Sequence, residues 1–278
     1  MPPFAESSRG SLLEELYECF NRRRYVEPDP LQMVLEYQDP ADREIVGLIA
    51  ASLAFGNVKQ ILASIGRVLP ALGSPARYLA ETAPRTIQRR FRDFRHRYAS
   101  GADLAELLCG IQRVRAEHGS LEACFVLALH ARDEDVVAAL EDFTDALRVG
   151  PAARNFLLPH PARGSACKRL HLYLRWMVRR DAVDPGGWDR VAPSVLMVPL
   201  DTHMHRLACR MGLSQRRQAD ARTVREVTAG FRQWAPADPV RYDFALTRLG
   251  IRREARADEF LTAWVHAAEP PPAQALRV

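Results

Sequence analysis

Apolar residues in this chain recur every three to four positions, and the two-residue alternation of a half-buried strand is nearly absent. A chain patterned this way buries its apolar atoms by packing helices on helices, so the expected fold is all-α. Asp39-Pro40 opens the clearest helix. A short acceptor side chain caps a first turn, and proline lacks the N–H that a first turn leaves unpaired. That helix covers 41–54, with Ile45, Leu48, Ile49 and Leu53 along one side. The same spacing, punctuated by Gly or Pro, predicts helices at 58–72, 104–115, 121–131, 135–147, 165–180, 202–211, 221–234 and 239–249. No internal repeat and no glycine-rich phosphate loop interrupts the series.

With 278 residues the chain can fill one large core. Residues 1–268 read as a single globular unit, in which a subdomain of about 58–200 lies between N- and C-terminal helical segments. The proline-rich stretches 28–30 and 158–161 are turns, the second a joint between subdomains, and 269–278 reads as a flexible tail. No stretch approaches the roughly 20 apolar residues of a membrane span. The opening Met1-Pro2-Pro3-Phe4-Ala5-Glu6 lacks the basic-then-apolar order of a secretory leader. Five scattered cysteines with no CxxC pair argue against a disulfide framework, and the expected location is a reducing cytoplasm.

Lys and Arg together number 39, yet Lys59 and Lys168 are the only lysines. Codon bias accounts for such a skew, but it narrows one question. Arginine serves solubility and phosphate contact and stays protonated, so a nucleophilic amine has just two candidates here. The net charge of +5 tilts mildly toward a polyanionic partner. Arg85, Arg89, Arg90, Arg92, Arg95 and Arg97 surround Phe91, Phe94 and Tyr98, a mixture that can grip a nucleic-acid backbone and stack on bases. The simpler reading is an amphipathic helix over 85–97 whose aromatics face the core.

The richest stretch is Pro199-Leu200-Asp201-Thr202-His203, followed by Arg206 and Arg210-Met211-Gly212-Leu213. By chemistry alone, Asp201 could be no more than a helix cap, with His203, His205 and Arg206 on the helix surface. The arrangement resembles the Pro-Val-Asp-Thr-His…Arg…Arg-Leu-Gly-Leu signature of the helix-hairpin-helix DNA glycosylases, the endonuclease III superfamily. Residues 44–57 are similar to that superfamily's buried helix and the turn after it that enters the DNA gap, and 242–250 to its last helix. As a whole the chain also looks like a bacterial branch of conserved hypothetical proteins within the superfamily.

The resemblance implies two helical subdomains of glycosylase type. It also implies a monomer acting on double-stranded DNA with a damaged base, an oxidised purine being the leading candidate. Asp201 would stabilise charge on the sugar as the flipped base departs, and Lys168 would attack C1′ to form a Schiff base able to support strand cleavage. The spacing of Lys168 and Asp201 is similar to that of the archaeal 8-oxoguanine glycosylases. By the same resemblance Asp243 falls in the base pocket, although the aromatic expected four residues on is Thr247. Phe55 and Asn57 could fill the gap in the duplex, and Trp176 or Trp188 could stack on the flipped base; all four could equally be structural. Lys59, Arg163, Arg169, Arg175 and Arg206 are the expected DNA-backbone contacts.

Two departures stand out. The family's Leu-Pro-Gly-Val-Gly-x-Lys-Thr-Ala hairpin is replaced by the longer, glycine-poor segment 158–168. No cysteine follows Cys209, so the ligands of an iron–sulfur cluster are missing and no cofactor or metal is expected. A non-catalytic module that recognises distorted duplex is the alternative. Metal-dependent hydrolysis by Asp201, His203 and His205 is a weaker one, because residues two apart on a helix diverge.

Overall fold

A computed structural model describes residues 8–129, 135–148, 154–251 and 257–267; the expected tail lies outside them. Capping side chains set most of the helix starts. Ser8 accepts from the N–H of Ser11 ahead of α1 (Arg9–Phe20), and α2 (Leu31–Val34) is one turn. Asp39 accepts from Ala41 and Asp42 at the head of α3 (Pro40–Leu53), and Asn57 from Lys59 at the head of α4 (Val58–Leu72). Both α5 (Pro75–Glu81) and α6 (Pro84–Arg90) begin on proline. A hairpin follows in which β1 (Arg95–His96) runs antiparallel to β2 (Ala99–Ser100), Arg95 facing Ser100. Ser100 and Asp103 form a reciprocal capping box on α7 (Gly101–His118), and Ser120 caps α8 (Leu121–Ala128). The chain continues through α9 (Val137–Leu147), α10 (Lys168–Val178), α11 (Thr202–Arg210), α12 (Ala221–Arg232), α13 (Asp243–Ile251) and α14 (Ala257–His266).

The all-helical expectation therefore holds among the described residues, with one small hairpin added. Helix α3 is buried on every side from Glu44 to Leu53, and α10 from Leu170 to Val178. These two helices pack on each other, α1 packs on α13 and α14, and α7 on α5, α6, α8 and α9. Each fully buried Leu or Ile contributes about 1.5–3 kcal/mol, and the polar groups enclosed with them need partners to offset their desolvation. Glu44 shows how such a group is tolerated. Its carboxylate accepts from the backbone N–H of Leu121 and Glu122 at the start of α8 and pairs with Arg115, while burial pushes its pKa up. At Gly110 of α7 a Cβ would lie 2.0 Å from the carbonyl oxygen of Leu147, so only glycine lets the end of α9 come this close.

Two sequence expectations fail for local reasons. The helix expected over 85–97 stops at Arg90. Phe91 and Phe94 turn into the core, and His96 is buried with Nδ1 2.9 Å from Ser64 Oγ and Nε2 3.1 Å from the Phe55 carbonyl, which pins the hairpin. The helix expected at 165–180 begins at Lys168, because Ser165 bridges to Asp220 and Cys167 takes a left-handed conformation with φ 41°. Both tryptophans offered as base-stacking groups are core residues. Trp176 is fully buried in α10, and Trp188 packs edge-on to Tyr173 with centroids 5.3 Å apart. Neither can reach a flipped base without opening the core.

Candidate functional site

The first residues of four helices, Val58 of α4, Lys168 of α10, Thr202 of α11 and Asp243 of α13, line one cleft of about 700 Å³. Two of these N-termini are capped by side chains, α4 by Asn57 and α11 by Asp201, and the cleft lining mixes Lys168, Arg169, Arg175 and Arg248 with Asp29, Asp201 and Asp243. Phe55, Gly56, Arg169 and Arg175 also line it, as do Asp29, Pro30 and Arg248.

Lys168 and Asp201 meet inside this cleft. Lys168 Nζ lies 3.9 Å from Asp201 Oδ2 and 3.5 Å from the carbonyl oxygen of Ala54. Asp201 divides its oxygens between two tasks: Oδ1 accepts from the N–H of His203 and Met204 as the cap of α11, which leaves Oδ2 turned to the amine. The left-handed residue Cys167 ends the preceding segment and places the lysine on the first turn of α10. With side chains 28% and 34% exposed, both groups are open to a ligand yet partly shielded from bulk water.

The other expected residues separate into two groups. Phe55 lies in the cleft wall, edge-on to His96 and beneath the Arg169 guanidinium at 4.8 Å. Arg169 also donates to the Ser52 carbonyl, and burial pushes its pKa down to about 10. Asp243 lines the cleft floor, but its Oδ2 accepts from Arg175 Nη1. Burial raises the Asp243 pKa in spite of that pairing, since Asp184 and Asp201 add further negative charge nearby. Arg175 is not a phosphate contact. It is buried and held between Asp184 and Asp243, and it continues into a network in which Arg179 pairs with Asp181, Asp184 and Asp238. Asn57 caps α4, while Lys59, Arg163 and Arg206 are exposed outside the cleft wall.

His203 lines the cleft, whereas His205 turns away and bonds to the Arg216 carbonyl at 2.9 Å. The two histidines therefore do not converge with Asp201 as metal ligands. Among the described residues no group of three or more His, Cys, Asp or Glu is placed to hold a metal ion. No helix among them is long and apolar enough to cross a membrane.

Sequence reasoning missed Asp29 and Arg248. Asp29 Oδ2 pairs with the buried Arg248 guanidinium at 2.8 Å, which fastens the loop before α2 to α13 at the cleft. The one available signal was a carboxylate between two prolines, Pro28-Asp29-Pro30, which reads equally well as a turn.

Taken together these features define an all-helical protein with a lysine–carboxylate pair in a cleft of helix N-termini. The chain belongs to a family of proteins of unknown function (DUF2400), which it matches over residues 29–252. Comparison with curated proteins and with solved structures found no match.

Proposed function

We propose that this protein is a DNA repair glycosylase that removes a damaged base, with Lys168 as nucleophile and Asp201 as its electrostatic and proton-accepting partner. The observation carrying this reading is the approach of Lys168 Nζ to the free oxygen of Asp201 in a cleft framed by four helix N-termini. The packing of α1 with α13 and α14, and of α7 with its neighbours, supports two helical subdomains of glycosylase type. Double-stranded DNA with a flipped-out nucleotide is the proposed ligand, and an oxidised purine is the first base to test.

In the proposed reaction the Lys168 amine attacks C1′ and the N-glycosidic bond breaks, its electron pair leaving with the base, which takes up a proton. Asp201 offsets positive charge growing on the sugar and accepts a proton from the amine. The C1′–O4′ bond then breaks, O4′ takes up the remaining amine proton as a hydroxyl, and an imine is left between Nζ and C1′. Loss of a C2′ proton then expels the 3′ phosphate and cleaves the strand.

Borohydride reduces such an imine to a stable amine, so trapping on a panel of damaged duplexes tests the proposal. The wild-type protein is expected to form a covalent adduct with at least one lesion, and Lys168→Gln none. Lys168→Arg keeps the positive charge and is also expected to form none. Tight lesion binding with no adduct and no base release from any duplex would leave a non-catalytic DNA-binding protein.

A further inference from the structure

Beside the cleft the surface carries a second arrangement that the lysine chemistry does not use. Tyr98 is 71% exposed at the tip of the β1–β2 hairpin, and Phe156 is 55% exposed on the segment after residue 153. Their rings lie 6.2 Å apart at 34°, with the Arg97 guanidinium 5.6 Å from the Tyr98 centroid. Arg85, Arg89, Arg90, Arg92, Arg95 and Arg97 are all exposed, and Asp93 is the one acidic residue interleaved with them.

This surface is held, not floppy. Buried His96 ties the hairpin to Ser64 of α4 and to the Phe55 carbonyl. Phe156 is fixed through its N–H to Asp103 Oδ1 at 3.0 Å, beside Asn155, whose amide donates to the Asp103 carbonyl. It is also continuous with the cleft. Gly56, a cleft residue with φ +100°, is covered by Arg97, whose Cδ would sit 2.6 Å from a Cβ at that position.

We infer that Tyr98, Phe156 and the hairpin arginines Arg95 and Arg97 form a binding surface for unpaired nucleotides of a single DNA strand next to the cleft. Exposed rings offer faces on which bases stack whatever the sequence, and arginines flanking them neutralise the phosphates. Bases locked inside a closed duplex cannot use such faces, which is why the structure favours a single strand over a helix. The inference shares with the glycosylase reading only the nature of the partner. It stands whether or not Lys168 performs chemistry.

Fluorescence anisotropy of the full chain with a labelled, undamaged single strand of mixed sequence, and with its duplex, tests the surface. Single-strand binding is expected to weaken about tenfold or more in Tyr98→Ala and in Phe156→Ala, given the usual contribution of stacking. Tyr98→Trp should bind as wild type, while Tyr98→Leu, which keeps apolar area without an aromatic face, should bind as Tyr98→Ala. Arg97→Gln should reduce the slope of log affinity against log salt by about 0.7. Thermal melting by circular dichroism checks that each variant folds, and both rings are exposed enough for truncation to leave the core intact. Wild-type failure to bind single strands, or unchanged binding in the double Ala variant, overturns the inference. So does ring-dependent binding to polyglutamate or to phosphatidylglycerol vesicles but not to DNA. Because the probe carries no lesion, its result is independent of borohydride trapping, and either proposal can fail alone.

Discussion

Asp201 holds the N-terminus of α11 with one carboxylate oxygen and faces Lys168 Nζ with the other, 3.9 Å away. Capping and charge are thus separable by substitution. Asn caps about as well as Asp, whereas Ala costs about 1 kcal/mol of stability. Asp201→Asn is therefore expected to fold with near wild-type stability and bind lesion DNA, yet release base about a hundredfold more slowly or worse. Single-turnover base release alongside a urea titration measures both. Equal base release by Asp201→Asn and wild type would reduce Asp201 to a cap.

The buried network around α10 makes a contrasting prediction about stability. Asp184 is enclosed and pairs with both Arg175 and Arg179, so Asp184→Ala takes one carboxylate from two buried guanidiniums, leaving Arg175 to Asp243 and Arg179 to Asp181 and Asp238. Removing one partner from a buried pair typically costs about 3–5 kcal/mol. Arg77 and Glu81 form an ion pair whose side chains are 75% and 63% exposed, and Arg77→Ala should change stability by less than about 0.5 kcal/mol. Chemical denaturation of both variants under one buffer gives the comparison.

Close backbone approach predicts a third effect. Gly110→Ala gains up to about 1 kcal/mol of helix propensity, but its methyl would meet the Leu147 carbonyl at 2.0 Å. The obstacle is backbone and cannot rotate aside, so a net loss of about 1–3 kcal/mol is expected. A stabilised Gly110→Ala variant would contradict the packing of α7 on α9.

Burial of His171 sets a pH dependence. Desolvation lowers its pKa from 6.5 to about 4, so the folded protein holds the ring neutral while the unfolded chain protonates it. Its stability contribution is complete above pH 6.5 and is lost as the pH falls toward 4, by about 3 kcal/mol in all. Unfolding free energies at pH 7 and pH 5 should therefore differ less in His171→Leu than in wild type. Identical pH profiles would show that the ring does not drive the dependence.

The helical period made most of the fold legible, because caps such as Asp39, Asn57 and Asp201 and breakers such as Gly73 and Gly119 are local signals. What escaped notice depends on partners distant in the chain. Arg175 reads as one more exposed cation on an arginine-rich helix until Asp243 and Asp184 enclose it. Trp176 reads as available until α3 is seen to cover α10. Nothing near residue 97 signals that the chain turns back there, since the anchors of His96 lie at Ser64 and Phe55. Lys168 and Asp201 were legible as a pair through their motif, and their proximity follows from two helices that begin at the same cleft.

The contact of Asp29 with Arg248 has a bearing on synthesis. Part of the cleft lining comes from the loop before α2, and the residues fastened to it come from α13, more than two hundred positions later. A ribosome must therefore deliver nearly the whole described chain before the lysine and its carboxylate are enclosed. Any nascent fragment that stops short of α13 carries Lys168 and Asp201 without the part of their cleft that Asp243, Thr247 and Arg248 line.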